Sequence, residues 1–385
     1  MLYLGLAISL LTFIYALFIL YLWHFWRKVE PFKLETSEKN SSRLSIVIPV
    51  RNEASNIINL LQDLDRQRWP DGSSFAQGQV EVIVVDDHSE DSTKELVQNF
   101  DNQCIKLRVL SLNLPDDFKG SHKKAAISKA IAIAQGKYII TTDGDCRVDK
   151  NWLAAYLQFF ARQQAVMISA PVTFSPTHSL FEKMQQIEFA SLIGTGGACL
   201  SAGYPNMCNG ANLAFSKEAF IAVDGYLGNM HIPSGDDEFL IQKLSRHYPG
   251  QIHFMKSSAA LICTTAQQSL RNFYYQRKRW ASKWKLHKSM TTAFLALFVF
   301  SFHALLIVTV LCSIAGFFAW QWALCLLGLK AGLELLFLRA VLKDMKQVIS
   351  FRIFLLLQLI YSPYAVFFGI VANFGGYQWK KRRYA

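Results

Sequence analysis

Two aspartates, Asp143 and Asp145, flank a single glycine directly after the largely apolar run 137–142. This run is typical of a buried strand, so both carboxylates are expected at its carboxyl end. Carboxylate oxygens are hard ligands that suit Mg²⁺ or Mn²⁺, and such ions bind one or two protein carboxylates together with phosphate and water. The spacing predicts a divalent metal that holds a phosphate, and an ordinary Asp-Gly turn is the alternative.

Further acids follow the other apolar runs of this region. Residues 44–50 precede Glu53, and residues 80–85 precede Asp86 and Asp87. Helical segments separate these runs, and the alternation predicts an α/β fold with a mostly parallel sheet and helices on both faces. Because ligands bind beyond the carboxyl ends of the strands in such sheets, these acids are expected along one edge. Their convergence favours a binding site over isolated turns.

The apolar residues of the 385-residue chain are concentrated towards its ends. Residues 1–23 carry no charge, and residues 294–338 carry only two charged side chains. Segments of this length can span a bilayer. We expect a retained N-terminal anchor over residues 1–26, with a cleaved signal peptide as the alternative, and a polar linker over residues 27–43.

Arg27 and Lys28 follow the anchor and predict its orientation. Because basic loops stay in the cytoplasm, the long middle segment is expected there, in a multi-pass protein of a bacterial inner membrane. Residues 291–385 are expected to hold two to three more spans, near 294–316, 318–338 and 353–375. Three full spans would place the basic residues 380–383 outside, against the charge rule. One segment is therefore expected to be re-entrant or interfacial, or else the boundary between the second and third segments lies elsewhere.

Charge and cysteine content restrict the partners. The net charge of +12 collects near membrane ends and in residues 271–288, where membrane lipids account for it without nucleic acid. The seven cysteines show no paired Cys-x-x-Cys spacing and are expected to be free thiols. Within an apolar segment, Glu334 is expected near a span end or paired with Lys330, and a functional membrane acid is the alternative.

Three motifs lie downstream of the strand-end acids. Residues 194–210 are rich in glycine and small side chains, which predicts either a loop that a ligand approaches closely or a packed turn. Asp236 and Asp237 are at the start of a helical segment, where capping acids are also common. A third motif, at positions i, i+3 and i+4 of a helix over 269–288, places three side chains on one face: Gln276, Arg279 and Trp280.

The order of these motifs resembles that of the family 2 glycosyltransferases of GT-A fold, in particular the membrane-embedded branch of the cellulose, hyaluronan and poly-N-acetylglucosamine synthases. The resemblance covers about residues 44–284. The matching motifs are residues 47–53, 84–92, Lys124, 143–145, 209–212, 234–238 and 276–280. It implies a cytosolic GT-A domain over residues 44–268 and an amphipathic interface helix over residues 269–290.

The resemblance also implies roles for individual residues. The nucleotide and donor would be bound by Pro49, Glu53, Asp86, Asp87, Lys124 and Asp143. Asp145 would bind the metal, Mg²⁺ or Mn²⁺, and Asp237 would be the catalytic base. The acceptor and diphosphate side would comprise Asn209, Gly210, Asp236, Gln276, Arg279 and Trp280. Here Asp236 stands where the family has glutamate, which leaves Asp236 as the alternative base. Membrane anchoring is the alternative role for the last helix, which also carries Phe273, Tyr274, Lys278, Lys283, Trp284 and Lys285.

Together these expectations describe an inverting, metal-dependent transferase that moves a sugar from a nucleotide sugar, expected to be UDP-linked, to a glycan or lipid-linked acceptor. Two alternatives stay open. One is a catalytically inactive GT-A scaffold subunit of a polysaccharide-export assembly. The other is a nucleotidyltransferase, which would need a glycine-rich, basic phosphate loop after the first strand that residues 50–53 do not supply.

Overall fold

The computed structural model describes residues 2–115, 118–282, 290–380 and 382–384. The helices are α1 (Leu2–Lys28), α2 (Ile57–Asp65), α3 (Thr93–Gln98), α4 (His122–Ile133), α5 (Trp152–Arg162), α6 (Leu180–Ser201), α7 (Lys217–Ala222), α8 (Asp236–His247), α9 (Leu270–Ser282), α10 (Met290–Ile314), α11 (Trp320–Asp344) and α12 (Phe351–Val371). The strands are β1 (Leu44–Val50), β2 (Val80–Asp86), β3 (Lys106–Ser111), β4 (Tyr138–Thr141), β5 (Met167–Ser169), β6 (Val172–Phe174), β7 (Leu213–Ser216), β8 (Ile252–Phe254), β9 (Ile262–Thr264), β10 (Tyr377–Trp379) and β11 (Arg382–Tyr384).

The chain divides into two compact units. The sheet unit comprises residues 28–177 and 195–266, and the helical unit comprises residues 1–27, 178–194 and 267–385. The domain limits expected from the sequence stay predictions. Of the predicted interface helix and basic C-terminus, Lys283, Trp284, Lys285 and Lys381 lie outside the described residues.

A seven-stranded sheet forms the centre of the sheet unit, in the order β3-β2-β1-β4-β7-β5-β8. Strands β1 to β4 are parallel, and β7 runs antiparallel to both β4 and β5. Val50 pairs with Asp86 and Val47 with Thr141, while Pro49 lies within β1 opposite Val85. The carboxyl ends of β1, β2 and β4 therefore share one edge, and the predicted α/β fold with a mostly parallel sheet is confirmed.

Burial explains why these runs form strands. Every residue of β2 is buried, as is every residue of β1 except Pro49. Continuous β-branched runs suit parallel strands, because helices cover both faces of such a sheet. Helix α2 contributes one covering stripe at i, i+3, i+4 and i+7, formed by Ile57, Leu60, Leu61 and Leu64.

The glycine-rich segment 194–210 was predicted to be a loop, and this prediction is wrong for its first half. Helix α6 continues to Ser201. A β-carbon at Gly194 would lie 2.5 Å from Val341 Cγ2, and one at Gly196 would lie 3.1 Å from the backbone oxygen of Met207. Small residues here permit close packing of a helix, so a composition typical of loops occurs inside a regular element.

Within the described part of the chain, three helices are long and apolar enough to cross a membrane: Tyr3–Lys28, Ala293–Ile314 and Phe351–Val371. Helix α11 is not among them, yet it runs beside α1. Gly5 lies against Phe318 and Trp322, and at the opposite end Trp26 Nε1 donates to Asp344 Oδ2 at 2.9 Å. The α11 helix is therefore aligned with α1 along nearly its whole length.

A buried polar cluster lies midway along these helices. Lys330 Nζ donates to Glu334 Oε2 at 2.9 Å, which confirms the pairing expected from the sequence. Tyr15 donates to Glu334 Oε1 at 2.5 Å, and Gln358 Nε2 donates to Glu334 Oε2 at 2.7 Å. Each oxygen of this buried carboxylate thus has a donor, as burial of a charge requires. All seven cysteines are free thiols, also as expected.

Candidate active site

The ends of β1 and β2 are tied together by an arginine. Asp87 donates its backbone N–H to the carbonyl of Val50 at 2.8 Å. The guanidinium of Arg51 donates to the carbonyls of Asp87 and His88, both at 2.8 Å. No role was predicted for Arg51 from the sequence. Its hydrogen bonds fix the turn that carries Asp86 and Asp87.

Asp86 is the last residue of β2 and is 6% exposed. Its Oδ2 accepts the backbone N–H of Ser89 at 3.3 Å. Its Oδ1 is buried, and no donor pairs with it among the residues that the structure describes. An unpaired buried acceptor costs about 1–3 kcal/mol, so this oxygen suits a ligand that brings an N–H or O–H group.

Asp87 lies between two histidines. Its Oδ1 is 3.1 Å from His88 Nδ1 and 3.0 Å from His122 Nδ1. The three side chains offer ligand atoms within 4.8 Å of one another, and this set could hold a metal ion. Imidazole nitrogens suit transition metals better than Mg²⁺. This is a second position at which metal ligands converge, distinct from the aspartates after β4.

Glu53 lies beside the loop that carries Asp143 and Asp145. Its carboxylate accepts Asn56 Nδ2 at 2.9 Å. A β-carbon at Gly144 would lie 3.1 Å from Glu53 Cγ and 3.0 Å from Val50 Cγ1. The intervening glycine therefore allows the loop after β4 to approach Glu53 closely, and the expected convergence of the strand-end acids is confirmed.

The loop after β4 offers oxygen ligands. Asp143 and Asp145 are both partly exposed, and Cys146 Sγ lies 3.9 Å from Asp145 Oδ1. Burial, followed by the charges of Asp145 and Asp143, raises the pKa of the Cys146 thiol well above its usual range, so it stays a neutral thiol. Two carboxylates without a thiolate fit Mg²⁺ or Mn²⁺ better than a soft metal.

Lys123 connects these acids with the start of α8. Its Nζ is 2.8 Å from Asp143 Oδ1 and 3.4 Å from Asp236 Oδ2. Burial lowers the pKa of the Lys123 ammonium, but the charges of Asp143, Asp236 and Asp237 outweigh burial and hold this pKa well above its usual range. Lys123 is therefore a fixed cation among three carboxylates, although no role was predicted for it.

Asp237 is held by backbone N–H groups. Its Oδ2 accepts the N–H of Gly210 at 3.0 Å, and its Oδ1 accepts the N–H of Glu238 at 2.8 Å. Thr141 Oγ1 donates to the carbonyl of Gly210 at 2.8 Å, and a β-carbon at Gly210 would lie 2.9 Å from Asp236 Oδ2. The structure thus brings together Gly210, Asp236 and Asp237 at the end of β4.

The other side chains of the motif 209–212 bond within the protein. Asn209 Oδ1 accepts the N–H of Ala211 at 2.9 Å. Asn212 is fully buried, and its Oδ1 accepts Trp152 Nε1 at 3.1 Å and the Tyr156 hydroxyl at 2.7 Å. Its Nδ2 donates to two backbone carbonyls, both at 2.7 Å. These bonds anchor the loop that contains Gly210, whose backbone N–H binds Asp237.

Lys124 is bonded to backbone carbonyls. Its side chain is fully buried, and its Nζ donates to the carbonyls of Asn229 at 2.8 Å and Ile232 at 3.0 Å. Its ammonium also lies 4.8 Å from the centre of the Phe239 ring. Lys124 therefore fixes the segment before α8, and its contact with a diphosphate stays a prediction.

The last predicted motif lies on α9 in the helical unit. Gln276 Oε1 accepts a hydrogen bond from the guanidinium of Arg277. The Trp280 ring stacks on Phe189, with ring centres 5.8 Å apart. The roles of Gln276, Arg279 and Trp280 towards an acceptor stay predictions.

The chain matches the models of one enzyme family. Residues 45–223 match glycosyl transferase family 2, and residues 138–335, half of the chain, match glycosyl transferase family group 2. The α/β sheet with acids at its carboxyl edge is that of a GT-A glycosyltransferase. The chain belongs to glycosyltransferase family 2.

Three known proteins show the range of similarity. Glycosyltransferase AglE of Haloferax volcanii is 34% identical over 110 residues, which cover 29% of this chain and 33% of AglE. Poly-beta-1,6-N-acetyl-D-glucosamine synthase of Staphylococcus epidermidis is 23% identical over 270 residues, 68% of this chain and 60% of that protein. The first curated relatives are matched over only 24% to 38% of their own length.

A solved structure shares the fold. Mannosyltransferase PcManGT from Pyrobaculum calidifontis, in complex with GDP-Man and Mn²⁺, superposes with a TM-score of 0.57 at 16% identity. The superposition covers 96% of this chain and 97% of that chain.

Proposed function

We propose that this protein is an inverting glycosyltransferase that moves a sugar from a nucleoside diphosphate sugar to a glycan or lipid-linked acceptor. The UDP-linked donor remains the expected one, and the GDP-Man complex of PcManGT makes a GDP-linked donor the alternative. One observation carries the proposal. Asp237, the expected base, is hydrogen-bonded through Gly210 to the end of β4, directly before the aspartates expected to bind the donor.

The nucleotide is proposed to bind at the ends of β1 and β2. The unpaired Asp86 Oδ1 supports this, because a nucleobase N–H or ribose hydroxyl would satisfy it. Asp87 and Glu53 are proposed to complete the pocket, and Pro49 to shape the strand that ends there. Arg51 would keep the pocket rigid through its bonds to the Asp87 and His88 carbonyls.

The metal is proposed to be held by Asp145, with Asp143 beside the ribose and metal. A bound divalent ion would offset the negative charge that develops on the departing diphosphate. Lys123 is proposed to contribute a second positive charge there, because its ammonium already lies among the acids. Lys124 remains the candidate that the family resemblance implies.

The proton is proposed to leave the acceptor hydroxyl for Asp237. The hydroxyl oxygen then forms the new bond to the anomeric carbon while the bond to the diphosphate oxygen breaks, in one displacement with inversion. The bonds from Gly210 and Glu238 orient the Asp237 carboxylate for this transfer. Asp236 is the alternative base, but its charge is paired with Lys123.

The acceptor is proposed to be bound by Gln276, Arg279 and Trp280. For Asn209 and Gly210, the resemblance implies a role towards the acceptor or the diphosphate. An indole ring can stack on a sugar, as aromatic rings do on other flat apolar faces. The product of the synthase from Staphylococcus epidermidis is consistent with a glycan acceptor. A lipid-linked acceptor is the alternative that the apolar helices support.

We also propose that the protein is integral to the cell membrane, with the sheet unit in the cytoplasm. The α1 and α10 helices would cross fully, and α11 would cross beside α1. The α12 helix would be an interfacial segment with both of its ends on the cytoplasmic side. Two contacts support this last assignment. Gln347, four residues before α12 begins, donates its N–H to the carbonyl of Leu342 near the end of α11. Near the other end of α12, Phe368 contacts Tyr274 of α9.

With α12 at the interface, the basic residues 380–383 stay in the cytoplasm, as the charge rule requires. A fluorescent protein fused after Ala385 should then fluoresce, and alkaline phosphatase fused there should be inactive. An active phosphatase fusion would exclude this arrangement.

Nucleotide release from membranes containing the protein tests the function. UDP-glucose, UDP-N-acetylglucosamine and GDP-mannose are supplied in turn with Mn²⁺. Release from the used donor should fall at least about 100-fold in Asp237→Asn, because general bases contribute about 10²–10⁴-fold. Asp145→Asn should raise the Mn²⁺ requirement. Asp71→Asn is the matched control, since Asp71 pairs with Lys39 at the surface. Unchanged turnover in the first two variants would refute the assignment.

A further inference from the structure

A second buried network, distinct from the catalytic acids, surrounds Arg277 in the helical unit. Arg277 is 2% exposed, and its guanidinium donates to Glu188 Oε2 at 2.6 Å. The other carboxylate oxygen, Glu188 Oε1, accepts the Tyr364 hydroxyl at 3.0 Å. Glu188 lies on α6, Arg277 on α9 and Tyr364 on α12, so a single carboxylate connects three helices.

The same guanidinium contacts two members of the Gln-x-x-Arg-Trp motif. It donates to the side-chain oxygen of Gln276. Its central carbon lies 4.3 Å from the centre of the Trp280 ring and 4.6 Å from that of Phe273. Arg277 thus lies between two aromatic rings while its nitrogens bond to Glu188 and Gln276.

We propose that Glu188 and Tyr364 are positioning residues for acceptor binding, acting through Arg277 on Gln276 and Trp280. This inference rests on the proposed function, in which the motif binds the acceptor. A guanidinium is planar, so fixing one of its edges on a carboxylate fixes the plane that the aromatic rings pack against. Tyr364 holds the carboxylate itself, and thereby links the motif to the C-terminal helix.

The chain contains a matched control for this network. Glu334 is also buried, and its carboxylate also accepts hydrogen bonds from a tyrosine hydroxyl, that of Tyr15, and from a basic group, the ammonium of Lys330. This second network joins α1, α11 and α12 and includes no residue of α9. Substitutions in either network remove comparable hydrogen bonds, but only the first is expected to change how the acceptor is placed.

The test compares how much donor sugar is transferred to an acceptor with how much is hydrolysed. Membranes receive the radiolabelled donor that the wild type uses, and sugar transferred to endogenous membrane acceptor is compared with free sugar released by hydrolysis. Glu188→Gln should lower this ratio at least fivefold, and Tyr364→Phe two- to threefold. The donor KM for nucleotide release should stay within twofold. Glu334→Gln and Tyr15→Phe should leave the ratio unchanged, even where they lower the Tm in detergent.

A double variant gives a further check. Because Glu188 and Tyr364 act through one carboxylate, combining both substitutions should lower the ratio no further than Glu188→Gln alone. An unchanged ratio in Glu188→Gln and Tyr364→Phe, or an equal fall in the Glu334→Gln control, would overturn the inference. Absence of nucleotide release by the wild type with every donor would instead refute the proposed function.

Discussion

Substitution of the two neighbouring lysines of α4, Lys123 and Lys124, should impair different properties of the protein. The two changes are Lys123→Met and Lys124→Met, which keep an unbranched side chain and remove the charge. Lys123 faces Asp143 and Asp236, whereas Lys124 donates to backbone carbonyls. We expect the first change to impair donor turnover in a folded protein, and the second to impair folding.

The expected magnitudes follow from the contacts. Hydrogen bonds that involve a charged group contribute about 1.5–3 kcal/mol each, and Lys124 makes two with buried carbonyls. Methionine avoids burying a charge, so the net loss of unfolding free energy should be about 3–5 kcal/mol. For a unit of this size that lowers the Tm by roughly 10 °C. Losing one charged contact between Lys123 and a diphosphate should lower kcat/KM for the donor roughly 10- to 150-fold.

Stability should change less in Lys123→Met than in Lys124→Met. The side chain of its partner Asp143 is 41% exposed, so water can solvate this carboxylate once the ammonium is gone. We expect a loss of about 1–3 kcal/mol, because the less exposed Asp236 also loses its positive partner. The Tm is measured in detergent by intrinsic fluorescence, and kcat/KM by nucleotide release over a range of donor concentrations. A stable Lys124→Met protein with a large donor defect, beside a fully active Lys123→Met, would refute the reasoning.

Four further outcomes are expected. Gly144→Ala should lower kcat/KM for the donor about tenfold in the release assay, because overpacking against Glu53 costs about 1–3 kcal/mol; an unchanged value would contradict the close approach. Cys146 should react with iodoacetamide at pH 8 more slowly than exposed Cys104, because its raised pKa leaves less thiolate at any given pH. Peptide mass spectrometry would follow both cysteines, and the difference should vanish in urea. Asn212→Leu should lower the Tm by roughly 10 °C, since it leaves two buried aromatic donors and two carbonyls unpaired. EDTA should stop nucleotide release and added Mn²⁺ restore it; release that persists in EDTA would argue against a metal.

The first strands of the sheet could be predicted because their local sequence is typical of buried strands. β1 and β2 are runs of seven residues rich in valine and isoleucine, buried almost completely. Strands β5 to β9 have only three or four residues each and carry no comparable periodicity. Their formation depends on distant partners, as when β7 inserts between β4 and β5. No local pattern encodes such a pairing.

The position of the strand-end acids could be predicted from the apolar runs that they follow, and that of the α4 lysines less readily. Lys124 was expected at the diphosphate, yet Ile127 and Ile131 follow it at i+3 and i+7 and are buried. That spacing places Lys124 on the buried stripe of the helix, and it was readable from the sequence. Successive helical residues differ by about 100°, so Lys123 cannot share this stripe. The apolar periodicity of the helix therefore accounts for the burial of Lys124, while its contact with a diphosphate stays a prediction.

The position of Asp237 could not be read locally, because it depends on a loop that precedes it by 27 residues. Gly210 accepts a hydrogen bond from Thr141 at the end of β4 and donates one to Asp237. A single residue, Gly210, therefore connects the proposed base to the strand that precedes Asp143 and Asp145. A base that moved independently of the donor aspartates would lose the alignment that a single displacement needs, and misplacement by about 1 Å can cost on the order of 100-fold in rate. A β-carbon at Gly210 would lie 2.9 Å from Asp236 Oδ2 and 3.5 Å from Asp237 Cβ, so a side chain there would press on Asp236. If Asp237 is the base, glycine at this position thus serves the proposed reaction as well as the turn.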